Sequence, residues 1–338
     1  MKQNHHSKIK FIEIEKGIRL TKSIFEKKLS EKLSLIKIIA PKFLKSGDGL
    51  QDDLAGTQIP VSFKIKSTGE TVEIVHSLAK WKRFILGKFN FKPGEGIYTD
   101  MDAIRKDEDL SPIHSIFVDQ WDWEKVITKE KRNLKFLKVI VKKIYSAIFE
   151  TGLEIEKNFP LLKIYLPKEI KFIHSEELEL KYPFLSPKDR EEKIAKEYGA
   201  VFIIGIGYPL KNGIPHDIRA ADYDDWITKT EKGRGLNGDL IVWDKIRNKS
   251  LELSSMGIRV NEKSLIEQLT YAKLEYKKTL NFHKMVIEKK LPLSIGGGIG
   301  QSRLCMFLLQ KSHIGEVQCS VWPKEVISQC KKQKVNLL

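Results

Sequence analysis

The segment Ser294-Ile-Gly-Gly-Gly-Ile-Gly-Gln-Ser-Arg303-Leu constrains this 338-residue chain more than any other stretch. Gly296, Gly297, Gly298 and Gly300 fall within five residues, Arg303 follows three residues after the last, and an apolar helical run from Leu304 to Leu309 comes next. Glycine lets a backbone approach a ligand closely and adopt positive φ. An arginine in the first turn of the following helix can reach a phosphate. The alternative is a strand-to-helix turn whose glycines serve packing alone. The segment is not a Walker loop, because no Lys-Ser/Thr follows the last glycine. Nor is it the dinucleotide pattern G-x-G-x-x-G: Gly296 and Gly298 would require glycine at the position of Gln301, and no run of β-α-β units precedes it.

Periodicity gives the surrounding frame. Phe25, Leu29 and Leu33 stand four apart and predict a helix over 17–34, followed by an apolar strand, Leu35 to Ile39, that stops before Pro41. Thr71 to Val75 alternates as a strand does, and Ser77 stands where an N-cap would precede a helix through Leu86. Ile97 to Arg105, a loop over 106–112, and His114 to Trp123 read as a long hairpin. Leu134 to Ile155 carries helical spacing, and Ala200 to Ile206 reads as a buried strand. Leu240 to Trp243 and Leu251 to Ser254 read as a strand pair, and Leu265 to Ile287 as one more long helix, with His283 packed on its apolar side. The irregular strand spacing predicts an α+β fold, a mainly antiparallel mixed sheet flanked by helices, in one domain spanning 1–338.

Composition excludes several classes. No apolar run approaches 18 residues, so no membrane-spanning helix is expected. The opening octapeptide, Met-Lys-Gln-Asn-His-His-Ser-Lys, is polar and has no apolar signal core. Cys305, Cys319 and Cys330 show no Cys-x-x-Cys spacing, which points to a reducing cytoplasm without disulfides or zinc. The net charge of +16 comes from lysines spread along the chain, so it reads as a solvated surface rather than a nucleic-acid patch.

Four constellations carry chemistry. In His76-Ser-Leu-Ala-Lys80-Trp-Lys82-Arg83, a hydroxyl and an ammonium meet near one helix N-terminus and suit a carboxylate; otherwise the lysines face solvent. In Val118-Asp-Gln-Trp-Asp-Trp-Glu124, period two puts Gln120 and Asp122 on one strand face, where an amide and an acid suit an α-ammonium group. Asp239 and Glu252 lie on successive strands and suit Mg²⁺ bridging nucleotide phosphates; otherwise they make surface ion pairs. His216-Asp-Ile-Arg219-Ala-Ala-Asp222-Tyr-Asp224-Asp225-Trp226 packs four acids and an arginine into a stretch without period, a functional loop or a solvated one.

These segments resemble the class II aminoacyl-tRNA synthetases. Gly296, Gly298, Gly300 and Arg303 fill the motif G-x-G-x-G-x-x-R, Arg105 stands at the arginine of the ATP hairpin, and residues 17–41 follow the helix-strand-proline pattern of the dimer motif. Ser77 and Lys82 match the Q-S-P-Q-x-x-K aspartate grip, though its glutamines and proline are absent; Glu252 and Arg259 match E-[LI]-G-G-G-S-x-R, with serines replacing two glycines. With Gly47-Asp-Gly-Leu-Gln-Asp52 and Asp222-Tyr-Asp-Asp-Trp226 the strings together resemble ammonia-dependent asparagine synthetase, the aspartate–ammonia ligase family, over roughly residues 10 to 323.

The resemblance implies a class II synthetase core, a cytoplasmic homodimer, ATP and Mg²⁺, and synthesis of asparagine through a β-aspartyl adenylate. It implies ATP contacts from Arg105, His114, Ser115, Asp239, Glu252, Ser254, Gly298 and Arg303, with Asp239 and Glu252 as metal ligands. It implies an aspartate site of Asp52, Ser77, Lys82, Gln120, Asp122, Ser255 and Arg259, with Gln120 shared with catalysis alongside Arg105 and Arg303. Asp224, with Arg219 nearby, is expected to receive ammonia because NH₄⁺ must lose a proton before it can attack. The glutamine amidotransferase signal, a cysteine at position 2, is replaced by Lys2, so ammonia is the expected donor. A tRNA ligase is the alternative, but the family core leaves no stretch for a separate anticodon-binding domain.

Overall fold

The computed structural model describes residues 11–54 and 58–338; the polar opening octapeptide lies outside the described residues. Helix α1 (Phe11–Leu33) buries Ile14, Gly17, Thr21, Phe25, Leu29 and Leu33, a stripe at three- and four-residue spacing. It starts six residues earlier than the spacing predicts. It runs into β1 (Leu35–Lys37), and β2 (Phe43–Lys45), β3 (Ser62–Lys64) and β4 (Thr71–Ile74) form a small antiparallel sheet in the order β2-β4-β3. Helix α2 (Ala79–Lys88) leads to the hairpin of β5 (Gly96–Ile104) and β6 (Phe117–Val126).

Helix α3 (Leu134–Asn158) is capped by Asn133, whose side chain accepts from the Phe136 amide at 2.9 Å. After it come β7 (Lys171–His174), α4 (Ser175–Lys181), α5 (Pro187–Tyr198) and β8 (Ala200–Ile204). The short ribbon of β9 (Lys229–Thr230) and β10 (Gly233–Arg234) precedes the pair β11 (Asn237–Asp244) and β12 (Lys249–Ile258). The chain ends with α6 (Glu262–Tyr271), α7 (Asn281–Ile287), β13 (Ser294–Gly300), α8 (Gln301–Leu308) and α9 (Lys324–Lys332).

The large sheet has the order β1-β5-β6-β13-β12-β11-β8-β7. Its two outermost pairs, β1 with β5 and β7 with β8, are parallel, and the remaining pairs are antiparallel. This is the α+β arrangement that the strand spacing predicts. The main core joins this sheet to α1, α3 and α8. Trp121 and Trp123 of β6 are fully buried in it, and the Phe25 ring lies 4.6 Å from that of Trp121. Among the described residues no helix is long and apolar enough to cross a membrane.

Three local expectations change. The run from Leu265 to Ile287 is not one helix. α6 ends at Tyr271, Lys273 adopts φ 57°, a 3₁₀ turn spans Glu275–Thr279, and α7 follows. Apolar spacing survives such a break because both pieces face the same core, so periodicity alone cannot detect it. The strand at Ala200 ends at Ile204, because Gly205 turns at φ +77° where a Cβ would lie 2.3 Å from the Arg234 carbonyl oxygen. Ser77 is not an N-cap: the capping position of α2 is Leu78, and the Ser77 hydroxyl accepts from the Ala79 amide at 3.3 Å.

Candidate active site

The glycine run is a strand, not a loop. None of Gly296, Gly297, Gly298 or Gly300 adopts positive φ, so conformational freedom is not their purpose. Close approach is. A Cβ on Gly298 would sit 2.2 Å from Gln120 Oε1 and 2.8 Å from Asp122 Oδ1. A Cβ on Gly296 would sit 1.9 Å from Glu124 Oε2 and 2.6 Å from Arg259 Nη2. β13 pairs antiparallel with β6, placing Gly296, Gly298 and Gly300 opposite Glu124, Asp122 and Gln120. The bare strand is thus a floor on which polar side chains from β6, and Arg259 just after β12, lie close. The run ends at α8, and Arg303 is in its first turn, as the sequence predicts.

Two cavities meet over this floor. The first, of about 230 Å³, is lined by Arg105, His114, Ser115, Gln120, Glu252, Ser254, Gly298 and Arg303, seven of the eight residues expected to touch ATP together with Gln120. The second, of about 240 Å³, is lined by Asp52, Ser77, Lys82, Gln120, Asp122, Ser255 and Arg259, the whole expected aspartate set, and by Arg219 and Asp224. Arg105, Gln120, Glu252 and Gly298 line both. The eighth residue, Asp239, lines neither: it is buried, ion-paired with Arg219, and its Oδ1 has no hydrogen-bond partner.

The charges in the second cavity are largely paired with each other. Lys82 and Asp122, both buried, stand 3.1 Å apart, and Lys82 also donates to the Gly297 carbonyl at 3.1 Å. Lys80 is equally buried and donates to Asp222 at 2.8 Å. The lysines of this segment therefore do not face solvent. Three of the four acids in the acidic loop are not solvated either: Asp222, Asp224 and Asp225 are buried and bound by Lys80, Arg259 and Arg132, while Asp217 stays partly exposed beside Arg219. His283 is a packed histidine, fully buried with Nε2 3.0 Å from Asp222 Oδ2.

Arg259 does not pair with Glu252. Its guanidinium grips Glu124 through Nε at 3.0 Å and Nη2 at 2.7 Å, and binds Asp224 through Nη1. Glu252 instead stands 3.6 Å from Arg303, across the first cavity.

Electrostatics separates these groups. Burial pushes the Asp224 carboxyl above its ordinary value, with Arg259 opposing. Burial also pushes Asp239 up to about 6, against the pull of Arg219. For Glu252 burial acts upward, but Arg303 and Arg219 outweigh it and hold the carboxyl low. Burial and the nearby Arg303 lower His114 to about 4, so its ring is neutral near pH 7, with Nδ1 2.7 Å from the Ser111 hydroxyl.

Sequence reading assigned no role to Glu124 or Asp119. The period-two signal was available for Glu124, which continues the face of Gln120 and Asp122. Asp119 points to the other face of β6 and accepts from the Ser302 amide and hydroxyl at 3.0 and 2.9 Å, a contact across 183 residues that no local pattern encodes.

Comparison with known proteins gives a consistent result. The family model described as aspartate-ammonia ligase matches residues 12–334. A relative from Parabacteroides distasonis, an aspartate–ammonia ligase, is 55% identical over 314 residues, 92% of this chain and 91% of its own. Aspartate–ammonia ligases from Bacteroides fragilis and Bacillus cytotoxicus are each 51% identical, over 99% and 96% of this chain and 98% and 97% of their own. Among solved structures, asparaginyl-tRNA synthetase from Pyrococcus horikoshii complexed with asparaginyl-adenylate superposes with a TM-score of 0.67 at 13% identity, over 92% of this chain and 69% of its own. That likeness establishes the class II synthetase fold.

Proposed function

The chain belongs to the aspartate–ammonia ligase family, and from that premise we propose that it makes asparagine from aspartate and ammonia at the expense of ATP, with one catalytic unit formed by the whole chain. The observation that carries this reading is the junction of two cavities at Arg105, Gln120, Glu252 and Gly298, where a carboxylate in one can meet a phosphate in the other.

A carboxylate cannot surrender oxide to ammonia, so it has to be activated. ATP occupies the first cavity, with its α-phosphate near Arg105 and Arg303. Aspartate occupies the second, its ammonium toward Asp52, Gln120 and Asp122 and one carboxylate on Ser77, Lys82, Ser255 and Arg259. Its β-carboxylate oxygen attacks the α-phosphorus; the O–P bond forms and the bond to diphosphate breaks. The two arginines offset the charge that builds between two anions. Ammonia then adds to the acyl carbon, the C–N bond forms, and AMP leaves with the C–O electron pair. The surplus proton on nitrogen passes to a base, and buried Asp224 beside Arg219 is the nearest fit to that role. Pairing of Lys82 with Asp122 supports this assignment, because bound aspartate would exchange one internal ion pair for two of its own.

The residues also fit Mg²⁺. Among the described residues there is no cluster of three or more metal-ligating side chains, but Mg²⁺ commonly takes one or two carboxylates and completes its shell with water and phosphate. Glu252, together with Asp239 and its unpartnered Oδ1, would hold it. The ion would supply charge neutralisation on the nucleotide phosphates. Exposed Ile36 on the edge strand β1 and Ile39 after it support a homodimer formed through α1 and β1, and the free cysteines fit a reducing cytoplasm.

The test is product formation by purified protein with ATP, Mg²⁺ and aspartate, supplied with ammonium, glutamine or neither. Asparagine and AMP in equal amounts from ammonium alone is the expected result. AMP without asparagine would overturn it and point to tRNA as the acceptor.

A further inference from the structure

A third cavity, of about 320 Å³, adjoins the wall that carries Arg259 and Asp224 but shares no lining residue with the first two. The residue after Arg259 and the residue after Asp224 both help to build it. Val260 offers its carbonyl to Arg83, and Asp225 pairs with Arg132. Arg83 and Arg132 line the cavity, Lys129 and Lys289 stand at its exposed rim, and Leu291 and Leu293 supply an apolar wall. Its volume lies at the lower end of the range for small-molecule sites, roughly 300–1,000 Å³.

Arg83 is the unusual group. Its residue is 2% exposed, yet its two bonds go to neutral acceptors: Nε to the Pro292 carbonyl at 2.9 Å and Nη1 to the Val260 carbonyl at 2.7 Å. Among the described residues Nη2 has no hydrogen-bond partner, and no carboxylate forms an ion pair with this guanidinium. Burial lowers its pKa to about 10, and the nearby Arg259 and Arg132 add to this against the opposing charge of Glu124. Buried cations are ordinarily paired. The one carboxylate on the cavity wall, Glu262, is held by Lys289 at 3.3 Å. The remaining lining charge is positive, and Arg132 Nε is a buried donor without an acceptor.

We propose that this cavity binds a small organic carboxylate, with the carboxylate on Arg83 and a short apolar body against Leu291 and Leu293. The planar guanidinium matches a carboxylate better than a point cation would. The apolar wall disfavours a bare hydrated anion, which would have to shed water against hydrocarbon. The site lies outside the ligase reaction and does not depend on the roles given to the other two cavities.

The probe is 4-methylpentanoate, compared with its neutral amide and with inorganic phosphate, using the full-length protein with AMP and asparagine present to occupy the other cavities. Thermal unfolding and saturation-transfer NMR read the binding. The carboxylate is expected to raise the unfolding midpoint in a saturable way and to receive saturation, while the amide and phosphate do neither. Arg83→Met is expected to weaken binding about tenfold or more, the loss of one charge-assisted hydrogen bond. Leu293→Trp, which fills the cavity from a half-buried position, is expected to abolish it and serves as the test if Arg83→Met does not fold. Equal protection by phosphate, binding unchanged in Leu293→Trp, or no binding by the carboxylate would each overturn the proposal.

Discussion

Asp119 Oδ1 accepts the Ser302 amide at 3.0 Å and Asp119 Oδ2 the Ser302 hydroxyl at 2.9 Å, so a carboxylate on β6 caps the helix that carries Arg303. α8 has no side-chain cap of its own. An anion at its N-terminus satisfies orphan amides and complements the helix dipole. Lys22 of α1 stands 3.2 Å from the same carboxylate and balances it. Asp119→Ala removes both bonds to Ser302. It should lower unfolding free energy by about 2–3 kcal/mol and raise the KM for ATP more than that for aspartate. Denaturant melts and initial rates check this; an unchanged ATP KM would remove Asp119 from the positioning of Arg303.

Glu124 holds Arg259 through three nitrogen–oxygen contacts of 2.7–3.1 Å in a fully buried setting, and accepts Ser294 Oγ at 2.7 Å. Glu124→Gln leaves a buried guanidinium with half its charge balance. Breaking a buried pair on one side costs about 3–5 kcal/mol. The variant should melt early in urea and bind aspartate weakly. Near wild-type stability would mean that Asp224 alone suffices as counter-ion.

Gly298→Ala places a Cβ 2.2 Å from Gln120 Oε1, on the floor common to both cavities. Overpacking of this kind costs about 1–3 kcal/mol, and at least part of it falls on the position of Gln120. Asparagine formation should drop about tenfold or more, since each 1.4 kcal/mol in the barrier is a factor of ten. Ile299→Val, one residue on and fully buried in the main core, should cost about 0.5–1.5 kcal/mol of stability with little change in rate. Equal kinetic effects of the two would count against the floor.

His114 links the first cavity to pH. Its folded pKa of about 4 lies below the ordinary 6.5, chiefly through burial and then Arg303. Between these values the unfolded chain binds a proton that the folded one refuses. Stability is therefore lost as pH falls from 6.5 toward 4, and this contribution is flat above 6.5. His114→Gln should flatten that part of the stability curve relative to wild type. Parallel curves from pH 4 to 6.5 would show that the imidazole titrates normally.

Asp224→Asn should depress asparagine formation more than ATP–diphosphate exchange, because adenylate formation does not need an acceptor for the ammonia proton. The variant also loosens Arg259, so some loss in exchange is expected through aspartate binding. Equal loss in both assays would retire the proton-acceptor role.

How much of this was legible in the sequence differs from residue to residue. Gln120 and Asp122 could be placed on one face because strand alternation is local. The placing of Arg105, Glu252, Arg259 and Arg303 around a nucleotide and an amino acid was implied by the resemblance alone; the structure brings them to the walls of two adjoining cavities. Asp239 was expected beside the phosphates; it lines neither cavity and one of its oxygens pairs with Arg219, a pairing set by a loop whose path has no period, while the other is left without a partner. The glycines were read as allowing both close approach and positive φ, and only close approach, through the missing Cβ, is used. That distinction needs the neighbour on β6, not the strand itself.

The chain alone determined which chemical groups are present, their spacing along strands and helices, and a sheet-and-helix class, all of which rest on interactions within a few residues. Only the tertiary structure decided which charges are buried and with what they pair. Arg259 meets Glu124 across 135 residues, and Asp122, Asp222 and Asp239 each meet a cation supplied by another part of the chain. Desolvation makes those pairings matter, because a charge taken out of water has to find a partner wherever the fold brings one within reach.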